Sequence, residues 1–339
     1  MEDNYICYKV RVAGQGIDPG SPTSPLEFGS VNKHVLICGT SGSGKSFFAS
    51  HLFPTRNGLL LFKKDDLFQD NGIVRAIDKG LTDISLYDVS EVGDAYMYAL
   101  KLDFSGIMAA SLLPVFTTNF NNAVRSKTSS SDKVFSLFFK NLKKSQSNRL
   151  TSSVADLIHT HFSSLYPERI IEIESENSKP DEKLPDVRGN KPLTNFTKIS
   201  FAGLNTFSME FGAELILRNY YNHMSQDNGI LMIDEFHHVS RPNSIVDTLL
   251  REFRISGQLV AISQNLSDVS SSMLSNFGVI LIGRSIHPDD LLYLSRLDPK
   301  LPGIVSSMPP YVFLNLSEYL LSPNHVQKPY YMWRLENEE

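Results

Sequence analysis

Two short stretches carry residues whose types and spacing can do chemistry. Residues 39–46 read Gly-Thr-Ser-Gly-Ser-Gly-Lys-Ser. They match G-x-x-x-x-G-K-[ST], the pattern of a phosphate-binding loop, with an apolar strand before it and a helix after it. Glycine at 39, 42 and 44 omits Cβ where backbone N–H groups must come close to a polyphosphate. Thr40, Ser41 and Ser43 supply the intervening positions of the cradle. A helix that starts near Lys45 turns its positive end toward the phosphates. Lys45 can reach the β- and γ-phosphates, and the Ser46 hydroxyl can ligate Mg²⁺. The expected ligands are ATP and Mg²⁺.

The second stretch is Gly229-Ile-Leu-Met-Ile-Asp-Glu235. Four apolar residues form a buried strand and deliver two carboxylates to its C-terminal end, the edge where a parallel α/β sheet binds its ligand. Asp234 is expected to hold Mg²⁺ together with Ser46. Glu235 is expected to take a proton from the attacking water. A strand over 258–263 brings Gln264 to the same edge, where an amide can sense the γ-phosphate or orient that water. His237-His238 follow the two acids, but no Cys/His set with transition-metal spacing accompanies them.

These residues need a sheet to position them. Residues 5–13 alternate apolar and polar like a strand. Glycine and proline make 14–26 a loop. Val35–Cys38 and Gly58–Phe62 are apolar runs with little alternation, as buried parallel strands are. Pro54 stops the helix between them. Helix is expected over 73–77, and short strands over 84–88 and 99–103. Residues 106–166 turn to helical periodicity. Within 125–149, seven lysines and arginines face one acid and interleave with Phe135, Phe138 and Phe139. Such a stretch is either a nucleic-acid contact or an amphipathic helix with phenylalanines inward; basic patches are weak signals, which favours the helix. Residues 173–195 are polar and read as a loop excursion.

Beyond it, a strand is expected over 199–204, a helix over 209–224, and a helix over 245–256 with Arg251 and Arg254 outward and Gly257 as its stop. A strand over 278–283 precedes Arg284. Segments 311–316 and 330–334 are strand-like and expected to pair at an edge.

Composition sets the outer bounds. The chain has 339 residues, 41% hydrophobic, with net charge −5. That is enough apolar material for a large core, and it excludes a globally basic nucleic-acid-binding surface. Two cysteines, Cys7 and Cys38, argue against a disulfide framework and for a reducing, cytoplasmic compartment. No run of about 18 apolar residues marks a membrane span, and the acidic N-terminus does not read as a secretory signal.

Taken in order, these features resemble the HerA/FtsK superfamily of ring-forming, DNA-pumping ATPases, and its HerA branch most. The similarity rests on Lys33-His34 before the first strand, Gly39–Ser46, Asp234-Glu235, Leu250-Arg-Glu-Phe-Arg254 ahead of Gly257, the strand to Gln264, and Asn276-Phe277-Gly278 before the strand to Arg284. The resemblance implies a RecA-like α/β core with a mostly parallel central sheet, split by a helical insertion. The expected division is 1–25 as N-terminal strand and loop, 26–105 and 197–316 as the two parts of the ATPase core, 106–196 as helical insertion and polar loop, and 317–339 as tail. The resemblance also implies a homohexameric ring with hydrolysis at subunit interfaces. Arg254 matches the position of a finger reaching a neighbouring subunit. Lys33 stands where the branch usually carries arginine, without the bidentate fork of a guanidinium. No full N-terminal barrel fits in about 30 residues, and Lys63-Lys64 replace the acid usual after the second strand.

The implied activity is ATP-driven translocation of double-stranded DNA, for end processing, packaging, conjugation or antiviral defence. The alternative is an ATP-gated scaffold that recruits a nuclease or other effector. A third reading is a P-loop NTPase that forms no ring, with Arg254 at its surface.

Overall fold

The structure is a computed structural model, and it describes residues 5–13, 16–18, 34–52, 58–62, 73–75, 89–103, 106–125, 131–144, 152–158, 160, 197–223, 229–240, 244–253, 257–317 and 330–337. Two compact units divide them. One comprises residues 1–73, 193–199 and 225–339; the other comprises 74–192 and 200–224.

The first unit is built on a sheet. Its strands are β1 (Tyr5–Ala13), β2 (Gly16–Asp18), β3 (Val35–Cys38) and β4 (Gly58–Phe62) from the first part of the chain. After β5 (Ile73–Arg75), at the division between the units, come β6 (Thr197–Ser200), β7 (Gly229–Ile233), β8 (Gly257–Ser263), β9 (Val279–Ile282), β10 (Val312–Asn315) and β11 (Tyr330–Asn337). Across the sheet they run β2-β1-β11-β10-β9-β3-β8-β7-β4-β6. The stretch β9-β3-β8-β7-β4 is parallel throughout. All four residues of β3 and all seven of β8 are buried, the polar Gln258 and Ser263 of β8 included, as in strands covered on both faces. Burying each of Leu36, Ile37, Leu259 and Ile262 contributes about 1.5–3 kcal/mol.

Antiparallel strands extend this core on the β9 side. β10 pairs with β9 and β11, and β11 pairs with β1 over Tyr5–Val12. The two late segments therefore pair as expected but lie inside the sheet; β1 and β2 form the outer strands on that side. The helix Lys45–Leu52 follows β3 directly. The helix Ile245–Glu252 is capped by Ser244, whose Oγ accepts from the Asp247 N–H at 3.3 Å. It ends before Gly257, which opens β8 instead of closing the helix; the Gly257 N–H still bonds the Phe253 carbonyl at 2.8 Å.

The second unit is helical, with Val89–Asp103, Gly106–Val124, Ser131–Lys144 and Thr206–His223 as its main elements. Aromatic rings make its core: Tyr96 packs on Phe116 with centroids 4.3 Å apart and meets Phe207 and Phe211 edge-on. Gly93 sits where a Cβ would come within 2.8 Å of Phe120, so the glycine lets two helices approach. Phe138 is fully buried against Phe116 and Phe120, while Lys140 and Lys144 are exposed. The basic stretch is thus an amphipathic helix around these residues.

Two local expectations are corrected. Residues 73–75 form a strand, consistent with the β-branched pair Ile73-Val74. Residues 99–103 end a 15-residue helix instead of forming a strand; a short apolar run has no period that separates the two states. The strand expected over 84–88 and the loop over 173–195 lie outside the described residues. No helix among the described residues is long and apolar enough to cross a membrane.

Candidate active site

The phosphate-loop residues sit between the end of β3 and the helix Lys45–Leu52, and the backbone has the form that the glycines permit. Gly39, Gly42 and Gly44 all have positive φ, at 153°, 81° and 88°. Their surroundings differ. A Cβ at Gly39 would press on Ser43 Oγ and the Arg284 carbonyl, and one at Gly44 would collide with the Tyr311 ring, whereas Gly42 faces open space. Close protein packing thus demands glycine at two positions, over and above any phosphate.

The loop is clamped from the neighbouring strands. On the β9 side, the Thr40 N–H and Oγ1 both donate to the Arg284 carbonyl, at 2.8 and 3.1 Å, and the Gly283 N–H bonds the Cys38 carbonyl. At the start of β10, the Tyr311 N–H donates to the Ser43 carbonyl at 3.0 Å. Lys45 Nζ folds back to the Thr40 carbonyl at 3.0 Å. Burial pushes the Cys38 thiol well above its usual range, with the Asp290 charge adding to the effect, so it stays protonated and a poor nucleophile.

Ser46 Oγ donates to Asp234 Oδ2 at 3.2 Å, across 188 residues of sequence. Asp234 is 8% exposed, and its other oxygen accepts the Glu235 N–H at 2.9 Å. Burial raises the Asp234 carboxyl above its ordinary range; the Glu235 N–H bond opposes this, the Glu235 charge adds to it, and the Ser46 bond and Lys45 charge pull it down. A hydroxyl oxygen and a carboxylate oxygen 3.2 Å apart are hard ligands of the kind Mg²⁺ takes. Ser46 and Asp234 would hold Mg²⁺ here.

Glu235 adopts a left-handed conformation, φ 53° and ψ 45°, which is costly for a residue with a side chain. The turn presents its carboxylate to Gln264, whose Nε2 lies 3.0 Å from both oxygens. His237 Nδ1 is 3.4 Å from Glu235 Oε2. The β7 and β8 strand ends thereby bring Asp234, Glu235 and Gln264 together beside the loop. Lys33 and Arg254 lie outside the described residues. No group of three metal-ligating side chains occurs among the described residues, the His237-His238 pair included.

Two participants, Asp290 and Tyr311, have no clear signal in the sequence, and a third, His34, is marked there only by its place before the first strand. His34 is fully buried; its Nδ1 accepts the Leu259 N–H at 3.0 Å and its ring stacks near Phe253. It extends the pairing of β3 with β8 by one side chain. Asp290 is also fully buried, taking the Ser267 N–H at 2.8 Å and the Ser285 hydroxyl at 2.9 Å. It ties the loop after Gln264 to the loop after Arg284. Pro288-Asp289-Asp290 signals only a helix start. Tyr311 follows two prolines and reads as the beginning of a strand.

No protein-family model matches the sequence, and no curated protein matches it. Solved structures do match in shape. VirB4 of Thermoanaerobacter pseudethanolicus aligns over 97% of this chain and 96% of its own, with TM-score 0.60 and 12% identity. The plasmid coupling protein TrwB, in complex with the non-hydrolysable ATP analogue ADPNP, aligns over 100% and 96%, with TM-score 0.55 and 12% identity. At that identity the likeness is one of fold alone: this chain has the RecA-like α/β fold, a mostly parallel central sheet with flanking helices.

Proposed function

We propose that this chain is an ATPase that works as a homohexameric ring and uses hydrolysis to move double-stranded DNA. The observation that carries the reading is the convergence of Lys45, Ser46, Asp234, Glu235 and Gln264 at one edge of the sheet. The fold shared with a plasmid coupling protein that binds an ATP analogue supports the nucleotide and the DNA.

In this reading the loop N–H groups and Lys45 bind the β- and γ-phosphates; Lys45 Nζ exchanges the Thr40 carbonyl for phosphate oxygen. Mg²⁺, when bound by Ser46 and Asp234, neutralises charge that develops on the phosphates. Glu235 accepts the proton of the attacking water as the water oxygen bonds the γ-phosphorus and the bond to the β,γ-bridging oxygen breaks, releasing phosphate and ADP. Gln264 holds the Glu235 carboxylate and, through it, the water's position. Arg254, and less strongly Lys33, supply positive charge to a neighbour's site.

The test is ATP turnover with and without duplex DNA, alongside particle images with an ATP analogue. A six-membered ring whose turnover rises several-fold with DNA is expected. A ring indifferent to DNA supports the scaffold reading instead, and a monomer with ATP and Mg²⁺ overturns both. Mixing Arg254→Ala with Glu235→Gln subunits should restore part of the turnover; no rescue at any ratio removes Arg254 from the neighbour's site.

A further inference from the structure

Tyr311 is an aromatic residue with an unusual placement. Its φ is 62°, the left-handed region that a bulky side chain seldom enters. Its N–H is spent on the Ser43 carbonyl, and its ring lies against Gly44 and meets Phe47 edge-on with centroids 5.5 Å apart. It is nonetheless 44% exposed. A strained tyrosine half in water, fixed to the phosphate loop by both backbone and ring, is poorly explained by core packing.

Sheet order says what passes it. Glu235 and Gln264 mark the γ-phosphate end, and both stand at the ends of β7 and β8, on one side of β3. Tyr311 stands at the start of β10, on the other side, beyond β9. A triphosphate threaded through the loop with its γ end at Glu235 must release its ribose and base on the β9–β10 side. Tyr311, 44% exposed as a residue, is the aromatic side chain on that side of the loop.

We propose that Tyr311 is the stacking platform for the nucleotide base, with Phe47 bracing its ring. The inference rests on the ATPase reading and adds the base subsite to it. Stacking uses the π face common to all bases, so the platform favours large purines and does not distinguish adenine from guanine. The left-handed turn sets the ring beside the loop, and the clamp on Ser43 is a backbone bond that a change of side chain leaves in place.

The test compares ATP, GTP and inorganic tripolyphosphate by calorimetry with Mg²⁺ present, on the full chain and on Tyr311→Ala and Tyr311→Phe. Tyr311→Ala should weaken ATP and GTP alike by about 10- to 100-fold, the range of base–aromatic stacking, and leave tripolyphosphate within about twofold. Tyr311→Phe should keep wild-type affinity for all three. A 2-aminopurine nucleoside triphosphate should be quenched by wild type and by Tyr311→Phe, and far less by Tyr311→Ala. Equal ATP affinity in wild type and Tyr311→Ala overturns the platform and leaves the ATPase reading standing. Loss of tripolyphosphate binding in Tyr311→Ala also overturns it, since Tyr311 then serves only the loop. Failure of wild type to bind ATP at all overturns the ATPase reading and the platform with it.

Discussion

Gln264 Nε2 stands 3.0 Å from each carboxylate oxygen of Glu235, sharing one amide nitrogen between both. The two residues come from different strands, 29 positions apart. The amide therefore fixes the carboxylate plane in a turn that the backbone holds at some cost.

Glu235→Gln should bind ATP with unchanged affinity and turn it over about 10²- to 10⁴-fold more slowly, the usual contribution of a general base. Single-turnover hydrolysis with an independent binding titration checks this. Loss of binding would remove Glu235 from the base role.

Gln264→Ala should lower kcat about 10- to 100-fold, from loss of a hydrogen bond to a charged group worth about 1.5–3 kcal/mol. KM should move little, because the side-chain hydrogen bonds of Gln264 go to Glu235. A large rise in KM with kcat intact would place Gln264 in substrate binding instead.

Asp234 gives a pH prediction. Its folded-state pKa lies above the unfolded value, chiefly through burial. Its contribution to stability is therefore fully present below the ordinary carboxylate pKa and is lost as pH rises through the raised value. Asp234→Asn should be at least as stable as wild type at neutral pH without Mg²⁺, and should lose the rise in Tm that Mg²⁺ and ATP give wild type. Thermal melts at pH 4 and pH 7, with and without both ligands, check the sign. A variant clearly less stable at neutral pH without ligands would contradict it.

Lys45→Ala should abolish ATP turnover, and undiminished hydrolysis by the purified variant would refute the phosphate-loop assignment. His34→Ala should lower stability by about 1–3 kcal/mol, because it strands the buried Leu259 N–H. Urea denaturation measures that loss, and an unchanged midpoint would mean that the strand pairs survive without the imidazole.

The parts legible in sequence are those written in contiguous residues. Gly39–Ser46 is one run whose spacing encodes its turn, and Gly229–Glu235 is a strand with its carboxylates at the end. β3, β4, β7, β8 and β9 are legible because each is a short, mostly apolar run, the spelling of a strand in a parallel sheet. At 73–75 and 99–103 the apolar runs are too short to show a period, so helix and strand are not separable there from sequence. What bolts the loop in place was not legible. The Arg284 carbonyl and the Tyr311 N–H act through the backbone, which every residue possesses, so no residue type announces them. Asp290 joins two loops that only the sheet order brings together.

That sheet order also sets a timetable. β3 carries the phosphate-loop motif near the start of the chain, yet both of its neighbours, β8 and β9, lie beyond residue 256. The Thr40 to Arg284 bond spans 244 residues. On a ribosome, the glycine-rich segment emerges early and then waits for most of the protein to be made. A nascent fragment ending before β8 contains the whole motif and has neither flank of its pocket. Such long-range closure is slow, and the interval leaves an apolar strand unpaired, a natural point for a chaperone to attend and for overexpression to fail.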